Sequence, residues 1–79
     1  MPTTDAEIQP VAIICNGETR QVEPGTTVAG LLIALGLEPE MMAVELDGRI
    51  LARQDYESTT LAAGARLELI RFVGGGSDA

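Results

Sequence analysis

A chain of 79 residues with 46% apolar side chains has room for one folded core, not two, and is too apolar to be disordered. A domain this small hides only about 60% of its unfolded surface, so a substrate-sized internal cavity is not expected. The net charge of −7 comes from twelve dispersed carboxylates against five cations. That balance speaks against nucleic acid and anionic membrane as partners, because both reward clustered cations. Solvation accounts for the charge, or else a basic surface on another protein does.

The residues that are missing narrow the chemistry. Histidine is absent, and the five cations are all arginine: Arg20, Arg49, Arg53, Arg66 and Arg71. Without lysine there is no Schiff-base chemistry, and one copy cannot be joined to a side-chain amine of another. Cys15, the single cysteine, cannot form an internal disulfide or a thiolate cage for a metal. An enzyme made from this set would have to work with carboxylates alone.

Residues 1–9, polar with Pro2 near the start, read as a loose arm. This start has no basic end leading into an apolar run, so it is not read as a secretory signal, and a cytosolic protein is expected. "VAIICNGETRQVE" then places Asn16-Gly17 between an apolar run and a polar one. Asn-Gly suits the positive φ angles of a two-residue hairpin turn. Such a loop pairs Cys15 with Glu18 and Val11 with Val22, and puts Val11, Ile13, Cys15 and Val22 on one face. Ala12 and Ile14 take the other.

Pro24-Gly25 makes the next turn, and Thr26 or Thr27 can cap a helix. Val28, Leu31, Leu32 and Leu35 recur as one apolar stripe, and Gly36 can end the helix in the left-handed region. The run Val28 to Leu37, broken by Gly30 and Gly36, is too short to span a bilayer. "MMAVELDGRIL" repeats the hairpin pattern: Met42, Val44 and Leu46 alternate, Asp47-Gly48 turns, and Ile50 and Leu51 return. Arg53 to Thr60 is polar and reads as a turn or a single helical turn. "RLELIRF" is the last strand, with Leu67 and Leu69 on one face and Ile70 and Phe72 toward the other. Hairpin, helix, hairpin and strand make an α+β roll, with one helix lying across a mixed sheet of four to five strands.

This order, together with "CNGETRQVEPGTTVAGLLIALGL", "MAVELDGRILAR", "LAAGARLELI" and the closing "FVGGG", resembles the ThiS family of sulfur carriers within the ubiquitin-like β-grasp proteins. The resemblance runs from Val11 to Gly76. It implies a β-grasp domain over 10–73 and a glycine-rich tail over 74–79. It also implies a role for the tail in thiamine biosynthesis. A ThiF-type adenylyltransferase joins the carboxyl of the last glycine to AMP, using its own ATP and magnesium, so no cofactor is assigned to this chain. A persulfide enzyme supplies sulfur, and the resulting thiocarboxylate delivers it to thiazole synthase. Gly76 matches the family's reactive glycine. Val73, Gly74 and Gly75 would provide reach, since glycine has no Cβ to block a narrow channel.

Two departures stand out. Ser77-Asp78-Ala79 follow Gly76, so its carboxyl is held in a peptide bond. A protease cuts after Gly76, or "GGGS" is a cloning scar, or the extension persists and no sulfur is carried. "LAAGARL" also lacks the acidic residues the family tends to place beside that glycine.

Other candidates have plainer readings. Cys15 falls on the core face and behaves as a small apolar residue. Met42 alternates into the core, though with Met41 it could instead form an adaptable binding surface. Asp55 and Glu57 are solvated loop carboxylates. Ile14, Ile70 and Phe72 lie on the face the helix leaves open, where related ubiquitin-like proteins bind. With Arg71 they form the candidate partner interface. The expected function is sulfur carriage without catalysis. Alternatives are sulfur delivery to molybdopterin, cysteine or a secondary metabolite, a ubiquitin-like modifier, and a binding module whose glycines are a mere end.

Overall fold

The computed structural model describes residues 9–72. Two hairpins flank a central strand. β1 (Val11–Cys15) pairs antiparallel with β2 (Glu18–Val22), and β3 (Met42–Leu46) pairs antiparallel with β4 (Arg49–Leu51). β5 (Arg66–Arg71) lies between them, parallel to β1 and antiparallel to β3, in the order β2-β1-β5-β3-β4.

The first hairpin has the register expected from its turn, Cys15 opposite Glu18 and Val11 opposite Val22. Asn16 and Gly17 sit at φ +51° and +83°, and Asp47 and Gly48 at +52° and +86°, so both turns use the left-handed pair that matches strand twist. Each turn also reaches across to β5. The Leu69 amide donates to Asn16 Oδ1 at 2.8 Å and the Arg66 amide to Asp47 Oδ1 at 3.0 Å.

The helix α1 (Val28–Ala34) crosses one face of the sheet. Thr27 is its N-cap, its hydroxyl oxygen accepting from the Gly30 amide at 3.1 Å. The free amides of the first turn are taken by the polar segment that follows β4: Val28 donates to Thr59 O and Ala29 to Tyr56 O. At the other end Gly36, at φ +79°, donates to Ile33 O while Leu37 donates to Leu32 O, the paired bonds of a Schellman stop. A helix of seven residues would not hold alone, so it depends on the face it buries.

The core lies between α1 and the inner sheet face. Ile13, Val28, Leu32, Val44 and Leu67 are fully enclosed, with Leu31, Met42 and Leu61 around them. Leu35, expected in the helical stripe, is half-buried just past the helix end. Tyr56, in the polar stretch read as a turn or a single helical turn, is a core residue whose hydroxyl donates to the Met42 carbonyl at 2.9 Å. Short 3-10 turns at Pro39–Met41 and Arg53–Asp55 complete the connections.

Candidate functional site

β5 is the element that leads toward the glycine-rich end. It is held on both sides by strands, and the Phe72 amide, one residue beyond it, donates to Met41 O at 2.9 Å. The chain is thus tied to the sheet up to Phe72. Val73, Gly74, Gly75 and Gly76, together with residues 77–79, lie outside the described residues, as does most of the N-terminal arm.

Alternation along β5 separates two environments. Leu67 and Leu69 point into the core side, while Glu68, Ile70 and Phe72 point to the face without a helix. Ile70 and Phe72 are both exposed and adjacent along one face, as expected. Ile14 shares that face but stands opposite Arg66, four residues before Ile70. At about 3.3 Å per residue, roughly 13 Å of strand separates Ile14 from Ile70. Arg71 alternates to the other side, opposite Met42, and lines an open groove with Cys15, Arg20, Leu35 and Leu37. The four candidate interface residues therefore divide into Ile70 with Phe72, Ile14 near the middle of the sheet, and Arg71 on the helix side.

Ile50 joins the open face instead. It pairs with Glu45 and is the most exposed large apolar side chain described, at 71%. The Asp47-Gly48 turn already implied this placement, because a two-residue loop sets Leu46 against Arg49 and Glu45 against Ile50.

The thiol of Cys15 is buried, and burial is the main cause that pushes its pKa above the ordinary value. Arg20 pulls the other way, and Glu18 and Glu68 add to the rise. A raised pKa favours the unreactive thiol over the nucleophilic thiolate. Among the described residues no group of three or more cysteine or carboxylate side chains could hold a metal ion. No described helix is long and apolar enough to cross a membrane. What the body offers is a rigid strand that ends at the root of the tail, beside an apolar face.

Comparison with known proteins gives consistent matches. The family model for the ThiS family matches residues 10–76. A protein named thiazole synthase from Magnetococcus marinus is 41% identical over 61 residues, 77% of this chain and 19% of that protein. The chain spans about a fifth of the length of the curated relatives it matches. Among solved structures, the thiamine biosynthesis protein (ThiS) from Geobacter metallireducens is 33% identical with a TM-score of 0.71, covering 84% of this chain and all of that one. A ubiquitin from Caldiarchaeum subterraneum shares the fold at 22% identity and a TM-score of 0.50, covering 87% of this chain and 99% of that one. The roll expected from the sequence is thus the ubiquitin-like β-grasp fold.

Proposed function

The chain belongs to the ThiS family, and from that membership we propose that it is a sulfur carrier for the thiazole of thiamine, a covalent co-substrate and not itself an enzyme. The observation that carries this reading is the extent of the family match, which runs past the end of β5 and through the glycines to Gly76. The thiazole synthases that contain a stretch resembling this chain support the same pathway and suggest the acceptor of the sulfur.

The chemistry asks little of the body and much of the tail. A carboxylate is a poor electrophile, so the Gly76 carboxyl must be activated before sulfur can reach its carbon. Because Ser77 follows, the Gly76–Ser77 amide is first hydrolysed by a processing protease, giving the Gly76 carboxylate and a free Ser77 amine. A ThiF-type adenylyltransferase uses its own ATP and magnesium to form the acyl-adenylate, with pyrophosphate leaving. The terminal sulfur of a persulfide donor then displaces AMP to give an acyl disulfide, a second thiol cleaves its S–S bond to release the thiocarboxylate and is left in a disulfide with the donor, and the thiocarboxylate passes to thiazole synthase. Three residues span at most roughly 10 Å when fully extended, a reach that would let one carbonyl carbon beyond Val73 enter a site that excludes the body. Ile70 and Phe72, next to the tail, serve as docking contacts, with Ile14 and Arg71 as further candidates.

The test is to incubate the full chain and a form ending at Gly76 with the activating enzyme of the same genome and labelled ATP. Only the Gly76-ended form should take up AMP. After sulfuration, its mass should show one oxygen exchanged for sulfur at the terminus. Equal adenylation of both forms would refute the need for cleavage, and adenylation of neither would refute the carrier role.

A further inference from the structure

The two edges of the sheet are finished differently. In the first hairpin the amides of Ile14 and Asn16 donate to Ala65 O and Leu67 O, at 2.8 and 2.9 Å. The even residues of β1 therefore bond toward β5, and Val11, Ile13 and Cys15 bond to their partners Val22, Arg20 and Glu18 in β2. That leaves the backbone N–H and C=O groups of Thr19 and Gln21 pointing away from the sheet. No described residue takes them, and Glu18 to Gln21 are all exposed. β4, the opposite edge, has three residues and by the same alternation turns outward the groups of Ile50 alone. The longer edge has none of the usual protection, since no proline, lysine or bulge interrupts β2.

The side chains of this edge are complementary to themselves. Glu18 and Arg20 lie on the helix side of the sheet, opposite Cys15 and Ile13, while Thr19 lies on the open face opposite Ile14. When a second copy is laid antiparallel along β2 by a two-fold axis at Thr19, the two threonines meet and exchange two backbone bonds. Glu18 and Arg20 of each copy then meet Arg20 and Glu18 of the other, at positions where opposed Cα atoms are only about 4.5 Å apart. Opposite charges and threonine pairs across strands each favour pairing by about 0.2–1 kcal/mol. Moving the axis to Arg20 sets arginine against arginine, and moving it to Gln21 sets Arg20 against Val22 and loses the ion pairs. Arg20 is available for this, because among the described residues it forms no ion pair within its own chain.

We propose that two copies of this chain join edge to edge through β2, centred on Thr19, so that two five-stranded sheets become one. The axis stands perpendicular to the sheet, which puts both helices on one side and both open faces on the other. β5 stands two strands in from the join, so the contact leaves its Phe72 end uncovered. The contact is small and each copy carries a net charge of −7, so association is weak and shows at high protein concentration. The dimer is independent of the carrier reading above.

Sedimentation velocity on the full chain, over about a hundredfold range of concentration, should show monomer passing to dimer and no further. Arg20→Glu and Glu18→Arg each set like charges opposite one another and should weaken association about tenfold or more. The two variants move the net charge in opposite directions, so a loss in both reads the pairs and not overall repulsion. The double variant Glu18→Arg/Arg20→Glu restores the pairs and should recover the dimer. Thr19→Pro removes the outward N–H, leaves the β1 ladder intact and should give a monomer that melts near the wild type. A wild-type monomer at the highest concentration would overturn the proposal. So would single charge variants or Thr19→Pro that dimerise like the wild type, or a double variant that stays monomeric. Polymers beyond the dimer would overturn it too, because β2 of one copy would then be joined to β4 of the next, a contact that does not close.

Discussion

One strand serves two surfaces of opposite character. On the helix side of β5, Leu67 is 1% exposed and packs with Ile13, Leu32 and Val44. On the other side, Ile70 is 52% exposed, with no helix or strand over it among the described residues. A single short helix closes one face, so the stability of this small domain is concentrated in a few enclosed side chains. The other face is left free to change without unfolding the protein, and the docking contacts proposed above sit there.

The largest expected effect tests that contrast within one strand. Leu67→Ala removes a fully enclosed side chain and should cost about 2–5 kcal/mol in urea unfolding, a large part of the stability of so small a domain. Ile70→Ala should stay within about 0.5 kcal/mol of the wild type. Similar losses at both positions would mean that the open face is structural, and the division of labour would fail.

The intended contrast was legible in the sequence where local rules decide it. Two-residue turns fix which residues pair, so the register of β1 with β2 and the inward set of β3 follow from Asn16-Gly17 and Asp47-Gly48. Parity then assigns Ile14, Ile70 and Phe72 to one face. Parity does not say how far along that face each residue sits. The stagger of β1 against β5 is set by a pairing between distant parts of the chain, Ile14 with Arg66, and so Ile14 could not be separated from Ile70 by local pattern. Tyr56 escaped for a similar reason. A lone aromatic in a polar stretch has no periodicity, and its burial follows from how residues 53–60 fold against the start of α1. The role proposed for the tail was readable only by resemblance, since three glycines carry no geometric signal of what is done to them.

A middle-sized effect sharpens how the closed face is built. Tyr56→Phe keeps the ring in the core and removes the hydroxyl that donates to the Met42 carbonyl at 2.9 Å. The loss should be about 1 kcal/mol, rising toward about 3 kcal/mol if the carbonyl is left without water. Hydrogen exchange at the Val28 and Ala29 amides, which bond to Thr59 and Tyr56, should speed up more than exchange within β1. Uniform acceleration would show that the 53–60 segment is not a separate support for the helix.

The smallest effect probes the boundary between the two faces at Cys15. Burial holds its thiol above the ordinary pKa, and Glu68, on the opposite side of the sheet, contributes to the rise. A folded pKa above the unfolded one means that the folded state binds the proton more tightly. The associated stability is therefore complete below the unfolded thiol pKa and is lost as pH rises through the folded one. Wild-type stability should decline across that alkaline window more steeply than that of Cys15→Ala, whatever the offset the smaller side chain introduces. Thiol-reagent kinetics on the folded protein should show the same upward shift, and Glu68→Gln should move it slightly back down. If the alkaline slopes of wild type and Cys15→Ala coincide, the thiol does not feel its burial. If Glu68→Gln leaves the reactivity profile in place, the charges of the open face do not reach the core.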